Sequence, residues 1–323
     1  MDNTHNDFDI SDSFFTISNE WLDTSESRLK YSSYTKYRNI LYKYLQPQYG
    51  IFSISEIDRS KVSNYIAELL SSGGPTGNGL APKTVADMLN VLKNIFSYAS
   101  KTKGINTVDL SGIYVKQKSH LIRVLSFVEQ ERLNEYLYSH LDLRNLGILV
   151  CLYTGIRIGE ICALKWQDIL IDEQCIYVHQ TMQRLQTKKS SPEKTTIIVS
   201  DPKSVHSMRN IPLPDALFKL ILNYKHPIDT YFLTGKSDVF TEPRTMQNHF
   251  KTVMKKNNIQ GASFHSLRHT FATRCIELGF DIKSLSEILG HSSVNITLNR
   301  YVHPSMELKK QNMNRLSKLL KTE

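Results

Sequence analysis

The sequence has few of the features of secreted, membrane or zinc-binding proteins. Its 323 residues include four cysteines, at 151, 162, 175 and 275, and none of them forms a C-x-x-C pair. We therefore expect buried, reduced thiols and neither a disulfide framework nor a zinc site. No apolar run reaches the roughly 18 residues that a membrane helix needs. The first 27 residues hold seven acidic groups and no Lys or Arg, unlike a signal peptide, so we expect a cytoplasmic protein without a membrane partner.

Positive charge is what the sequence has in excess. The net charge is +9, and without the acidic residues 1–27 the remainder carries +16. This excess favours a polyanionic partner such as DNA or RNA. A solvated basic surface gives the same composition, so charge alone favours nucleic acid only modestly.

Hydrophobic periodicity predicts an α+β chain with two domains. The first is all-helical, with a Gly- and Ser-rich loop between two amphipathic helices. The second is mainly helical and contains three β-rich runs, at 175–179, 195–200 and 209–213, which predict a small antiparallel sheet. The expected order is an acidic flexible tail, the helical domain, a linker, the second domain and a C-terminal helix, at 1–20, 21–102, 103–122, 123–304 and 305–323.

Five short segments carry the groups that a reaction at a phosphodiester requires. They read TGIRIGE (154–160), PKS (202–204), HSLRH (265–269), LGHSS (289–293) and NRYVHP (299–304). A phosphodiester needs its negative oxygens neutralised, its leaving oxygen protonated and its phosphorus attacked. The segments supply cations, hydrogen-bond donors and one hydroxyl for these roles, without a metal or another cofactor: Arg157, Lys203, His265, Arg268, His291 and Tyr301.

These segments, in this order, resemble those of the tyrosine recombinase (phage integrase) family over roughly residues 120–304. As a whole, the sequence resembles integrases of phages and integrative mobile elements. The resemblance implies that Tyr301 attacks DNA and forms a 3′-phosphotyrosyl bond, and that Arg157, His265, Arg268 and His291 bind the scissile phosphate. Lys203 is then the expected general acid, in a β-turn before a strand that reads RNIPL. Neither ATP nor a metal is required for that chemistry.

The resemblance also implies partners. The helical domain at 21–102 is expected to bind DNA as a core-binding domain. Together the two domains are expected to form a clamp around double-stranded DNA. Four copies are expected to act on two DNA sites, with accessory DNA-bending or directionality proteins possible. The C-terminal helix is expected to dock on a neighbouring protomer, with docking on its own protomer nearly as plausible an alternative.

Two neighbours of the predicted catalytic residues are expected to support them. Glu160 lies one helical turn after Arg157 and can hold it in place. His269 is expected to have a structural role. His265 and His269 could also be read as a metal-binding pair, but the zinc-protease motif has Glu where this chain has Ser266, so we expect no metal.

DNA contacts outside the catalytic set are expected from Lys83, Lys93 and Arg244, which lie in basic amphipathic helices. A solvated helix face explains the same pattern. Base-reading residues are not identified by the sequence, because phosphate contacts position a protein and base contacts specify the site.

The expected function is site-specific recombination that integrates or excises a mobile element. Three alternatives stay open: a recombinase of the chromosome-dimer-resolving type, DNA relaxation like that of a type IB topoisomerase, and a catalytically silent DNA-binding regulator. The last of these has no need of Tyr301.

Overall fold

Helices dominate the computed structural model of the protein, which describes residues 10–117, 122–187, 194–201, 207–302, 309–310 and 313–314. The chain divides between residues 120 and 121 into two compact units. The first is helical, and the second combines helices with short antiparallel strands, so the predicted α+β class is confirmed. In the part of the chain that the structure describes, no helix is long and apolar enough to cross a membrane.

The first unit is built around the long helix α5. Apolar residues recur along α5 at helical spacing from Val85 to Ala99 and are buried. Pro82 occupies the first turn of α5, and Gly104 ends it in the left-handed conformation at φ 69°. The helices of this unit are α1 (Phe14–Glu26), α2 (Tyr31–Ile40), α3 (Gln46–Tyr49), α4 (Arg59–Ser71) and α5 (Pro82–Lys103), with a π-helical turn (Leu41–Leu45) joining α2 to α3.

The predicted tail over 1–20 is wrong at its C-terminal end. Helix α1 begins at Phe14, after the cap Ser13, and Phe14 and Ile17 are completely buried in the core of the first unit. The acidic composition of residues 1–27 concealed apolar residues at helical spacing. The segment predicted as a linker also contributes to this core, because Leu110 and Ile113 are buried against it.

The second unit has the apolar helix α7 at its centre. Residues 146–152 of α7 are buried on every face of the helix, which is typical of a helix enclosed by its neighbours. A capping box opens α6, with Ser126 and Glu129 each bonding the other's backbone. The helices are α6 (Phe127–Ser139), α7 (Leu143–Thr154), α8 (Ile158–Ala163), α9 (Asp215–Leu222), α10 (Pro243–Lys256), α11 (Phe264–Glu277), α12 (Ile282–Leu289) and α13 (Val294–Tyr301).

The strands form two small antiparallel sheets rather than one. They are β1 (Ile169–Leu170), β2 (Cys175–Val178), β3 (Thr181–Gln186), β4 (Thr195–Ser200) and β5 (Arg209–Pro212). One sheet has the order β1-β2-β5, and the other pairs β3 with β4. The sequence did not predict β3, the partner of β4, because TMQRLQ is largely polar.

Two glycines bring the helix ends of the second unit close together. Gly155 ends α7 and Gly290 ends α12, both in the left-handed conformation that favours glycine. A Cβ on Gly155 would lie 2.6 Å from Cδ1 of Phe271 and 2.8 Å from Cδ2 of Leu289. The absence of that atom lets α7, α11 and the end of α12 converge, and the candidate site lies at this junction.

Candidate active site

The structure brings together most of the side chains that the sequence singled out for phosphate chemistry. Arg157 lies between α7 and α8, His265 and Arg268 lie on α11, His291 follows α12, and Tyr301 ends α13. Lys203 falls between β4 and β5, outside the described residues, as does most of the predicted C-terminal helix 305–323.

Arg157 is held by the acidic residue that the sequence placed beside it. Its Nη1 donates to Oε1 of Glu160 at 2.7 Å, and its backbone N–H donates to Oε2 at 2.9 Å. Its Nη2 donates to the carbonyl of Gly290 at 3.1 Å. These contacts fix the plane of a guanidinium that remains partly exposed and can face an anion.

Arg209 is a member of this cluster that sequence reasoning missed. It binds Glu160 through two hydrogen bonds, Nη2 to Oε2 at 2.9 Å and Nη1 to Oε1 at 3.2 Å. Both side chains are almost completely buried. The signal lay in the alternation of β5, where Arg209 shares the inward face with the core residue Ile211.

Glu160 is therefore a buried carboxylate between two guanidinium groups. Burial acts to raise its pKa, but the charge and hydrogen bonds of Arg209, followed by those of Arg157, outweigh burial and lower the pKa to about 2. The carboxylate is ionised at neutral pH and orients both arginines.

Arg268 is buried deeper, with 2% of its surface exposed. Its Nη1 donates to the carbonyl of Gly155 and its Nη2 to that of Leu289, both at 2.7 Å. Burial, and then the charge of Arg157, lowers the pKa of Arg268. An arginine nevertheless stays protonated at neutral pH, so a cation is held at the floor of the site.

The three arginines meet at the C-terminus of α12. The carbonyls at 288–290 accept hydrogen bonds from Arg209, Arg268 and Arg157, in that order. The carbonyl end of a helix carries partial negative charge and accommodates cations. Only one carboxylate, Glu160, was found among the hydrogen-bond partners described for these arginines, so the cluster carries excess positive charge and suits an anion.

The three histidines of the site are neutral at neutral pH. Burial lowers the pKa of His265 and of His269 to about 4 and that of His291 to about 3. The positive charges of Arg268 and Arg300 lower all three further. Each neutral imidazole has one nitrogen that donates and one that accepts a hydrogen bond.

His291 is oriented by a residue that the sequence did not single out. Its Nδ1 lies 2.8 Å from the hydroxyl of Thr297, which is completely buried one turn into α13. The ring stacks nearly parallel to that of Tyr301, at 6.4 Å between centroids. The contact through Nδ1 directs the other nitrogen, Nε2, away from Thr297.

Tyr301 is buried and touches His269 directly. The Tyr301 hydroxyl lies 2.9 Å from Nδ1 of His269, and 7% of the tyrosine surface is exposed. Burial raises the pKa of Tyr301, whereas Arg268 and Arg300 act to lower it by charge and hydrogen bonding. This contact arises because α11 packs against α13 and places His269 over the end of α13.

The lysines predicted to bind DNA have other partners in the first unit. The ammonium of Lys83 pairs with Asp87 at 2.9 Å and remains largely exposed. Lys93 is half-buried and donates to the carbonyl of Ile113 at 2.8 Å, so a structural role explains it. In the second unit, Arg244 lies exposed in the first turn of α10.

The cysteines and the His265–His269 pair have surroundings that bear on the metal-binding alternative. All four cysteines are buried thiols, as predicted. Within the ranges that the structure describes, no three His, Cys, Asp or Glu side chains are grouped as metal ligands. The rings of His265 and His269 meet edge to face, at 4.5 Å between centroids.

Comparison with known proteins identifies the fold and the motifs as those of one family. Residues 123–307 match the phage integrase family, and residues 13–70 match the N-terminal SAM-like domain of phage integrases. The chain belongs to the phage integrase family. Members of this family are tyrosine recombinases, so the predicted enzyme class, a DNA strand transferase, is confirmed.

Relatives of this integrase are named as tyrosine recombinases and as integrases. A tyrosine recombinase XerC-like protein of Caldanaerobacter subterraneus subsp. tengcongensis is 26% identical over 300 residues, which cover 85% of this chain and 74% of the relative. The ICEBs1 integrase of Bacillus subtilis (strain 168) is 23% identical over 331 residues, which cover 95% and 83%.

Solved structures share the fold. The Tn1549 transposon integrase in complex with a circular intermediate DNA matches with a TM-score of 0.73 and 20% identity, over 93% of this integrase and 99% of that chain. A lambda integrase tetramer bound to a Holliday junction matches with a TM-score of 0.66 and 17% identity, over 93% and 82%.

Proposed function

We propose that this integrase inserts or excises a mobile element by site-specific recombination, with Tyr301 as its nucleophile. The observation that carries the proposal is the position of the Tyr301 hydroxyl, buried beside Arg268 and within hydrogen-bond distance of His269. A tyrosine that only filled the core would not need two cations near its hydroxyl.

The arginines and histidines supply the phosphate site. A guanidinium has five N–H donors, which exceeds the contacts that Arg157 and Arg268 make with carbonyls and Glu160. Each arginine can therefore be held in place and still bind a phosphate oxygen. His265 and His291 donate to the same phosphate, and the negative charge that develops during attack is stabilised by donors that are already positioned.

The reaction exchanges one ester for another. The Tyr301 oxygen bonds to phosphorus, the bond from phosphorus to the 5′-oxygen breaks, and the 5′-oxygen takes a proton from Lys203. The DNA end is left as a 3′-phosphotyrosyl ester. A 5′-hydroxyl from a partner strand then attacks this ester and gives its proton to Lys203, the bond from phosphorus to the Tyr301 oxygen breaks, and that oxygen takes up a proton again. The ester retains the bond energy, so the exchange needs neither ATP nor a metal.

The assembly we propose is a tetramer on two double-stranded DNA sites. The lambda integrase tetramer bound to a Holliday junction supports four copies, and the net charge of +9 supports DNA as the partner. Residues 305–323 dock on a neighbouring protomer, and accessory proteins bend the DNA or set direction. The proposed compartment of the reaction is the cytoplasm.

Trapping the covalent intermediate tests the function. Nicked duplexes that lose a short 5′-fragment on cleavage should accumulate a protein–DNA adduct, which peptide mass spectrometry should map to Tyr301. Tyr301→Phe should bind the duplex normally and form no adduct. Tyr153→Phe is the matched control, because the Tyr153 hydroxyl accepts a bond from Asn134 at 2.7 Å in the same unit and is not among the proposed site residues.

Other outcomes would favour other functions. An adduct on a different tyrosine would refute the assignment of Tyr301. Absence of any adduct from the wild-type chain would favour the DNA-binding regulator. Relaxation of supercoiled DNA by a single protomer, without exchange between two sites, would favour the topoisomerase. Exchange confined to paired chromosomal sites would favour the dimer-resolving recombinase, which the XerC-like relative keeps in consideration.

A further inference from the structure

The hydroxyl of Tyr301 has a histidine partner whose role nothing in the family motif specifies. The His269 Nδ1 lies 2.9 Å from it, and the two rings are tilted by 53° with centroids 5.6 Å apart. The other two histidines of the site have different described contacts: His265 meets the His269 ring edge to face, and Nδ1 of His291 lies against Thr297.

The protonation states of the two groups set the direction of this hydrogen bond. Burial raises the pKa of Tyr301, so the phenol is protonated and can donate its O–H. A neutral imidazole that carries its proton on Nε2 accepts at Nδ1, the atom that lies 2.9 Å from the hydroxyl. We assign this tautomer to His269.

His269 is neutral for a physical reason that does not depend on DNA. Burial lowers its pKa to about 4, and the positive charges of Arg300 and Arg268 act in the same direction. Tyr301 is the opposite case, because burial raises its pKa, so its proton must be removed during attack. A bound phosphodiester brings negative charge beside Arg268 and Arg300, which offsets their effect and makes the imidazole a stronger base.

We propose that His269 is the general base that removes the proton of Tyr301 as the phenol oxygen attacks phosphorus. This inference rests on the function proposed above. The O–H bond of Tyr301 breaks and the proton moves to Nδ1 of His269, while the oxygen bonds to phosphorus. In the resealing step the departing phenol oxygen recovers that proton from His269, and the ring is neutral again at the end of the cycle.

Two substitutions of His269 distinguish a general base from a residue that only fills space beside Tyr301. The amide of Asn can place an oxygen near the position of Nδ1 and hydrogen-bond Tyr301, but it does not accept the proton. We therefore expect His269→Asn and His269→Ala to bind DNA and melt like wild type, and both to cleave nicked DNA more slowly by roughly 10²–10⁴-fold under single-turnover conditions, the range for a lost general base.

Changing the acidity of the nucleophile provides the decisive measurement. Replacing Tyr301 with a difluorotyrosine lowers the pKa of the phenol and should recover at least about tenfold of the lost rate in His269→Asn, since less proton transfer is then required. His265→Asn is the matched control, one turn earlier on α11. It should lose rate through weaker phosphate binding, and the fluorinated tyrosine should not restore it.

Each result decides the inference. Near-wild-type cleavage by His269→Asn, with loss only in His269→Ala, would overturn it and leave His269 a spacer. Equal recovery by fluorotyrosine in the His265 and His269 variants would also overturn it. The wild type could form its adduct on Tyr301 while both His269 variants cleave at full rate. That result would refute His269 as the general base and leave the proposed function intact. Failure of the wild type to form that adduct would refute the function itself.

Discussion

Removing one member of the buried pair between Arg209 and Glu160 should destabilise the second unit. The substitution is Arg209→Met, which keeps an unbranched side chain of comparable length. It deletes two hydrogen bonds to Glu160 and two to backbone carbonyls, that of Ile288 at 2.6 Å and that of Ser207 at 2.9 Å. With 6% and 3% of the Arg209 and Glu160 side chains exposed, water cannot easily replace these contacts.

Two estimates of the magnitude agree. Breaking a buried ion pair by removing one partner costs about 3–5 kcal/mol, and the remaining contact of Glu160 with Arg157 favours the lower end. A pKa lowered from 4.5 to about 2 corresponds to roughly 3 kcal/mol of net stabilisation of the charged Glu160, in which Arg209 and then Arg157 outweigh the cost of burial. For a unit of about 200 residues, this predicts a fall in Tm on the order of 10 °C.

Thermal melts at several pH values test the reasoning. Glu160 has a lowered pKa in the folded chain, so its stabilisation is present above pH 4.5 and is lost as the pH falls towards 2. Arg209→Met should therefore melt well below wild type at pH 7, and the gap should narrow at acid pH. The control is Arg184→Met, which removes an arginine from a more exposed pair with Glu242 and should cost less than about 1 kcal/mol. A loss no larger than that of the control would refute the reasoning.

Two further substitutions test how the ends of α12 and α13 are held. Gly290→Ala should lower Tm more than Gly279→Ala: both glycines have positive φ, but a new Cβ would lie 3.0 Å from Cδ and Nη1 of Arg209 at Gly290 and meet nothing within 4 Å at Gly279. Equal losses in thermal melts would contradict this contact. Thr297→Val should slow cleavage of nicked DNA by about tenfold with little effect on DNA affinity, because it frees the ring of His291 to rotate. An unchanged rate would show that another contact orients His291.

Local sequence signals predicted most of the helices of the second unit. Each of these signals lies within one or two turns of the helix end that it marks. They are the capping box at Ser126, the cap Asp281 and the glycines at 155 and 290. The order of the motifs likewise predicted which side chains meet, because α7, α11, α12 and α13 each deliver one short segment to the junction.

Contacts across the fold could not be predicted in this way. The partner of Arg209 is 49 positions away in sequence, and no local pattern links the two residues. The contact of His269 with Tyr301 depends on how α11 packs against α13, so spacing alone predicted a supporting role. The strand β3 was missed because its pairing with β4, and not its own composition, determines its structure.

The interactions that allow these arginines to be buried also suit the reaction at a phosphodiester that we propose. In the absence of DNA, buried cations such as Arg209 and Arg268 need partners, and Glu160 and the carbonyls at 288–290 provide them. One carboxylate among three arginines leaves about two positive charges in excess. A phosphodiester carries one negative charge, and attack by a phenolate brings a second. The cluster therefore matches the charge of the transition state better than that of the bound substrate, which is the condition under which binding accelerates a reaction.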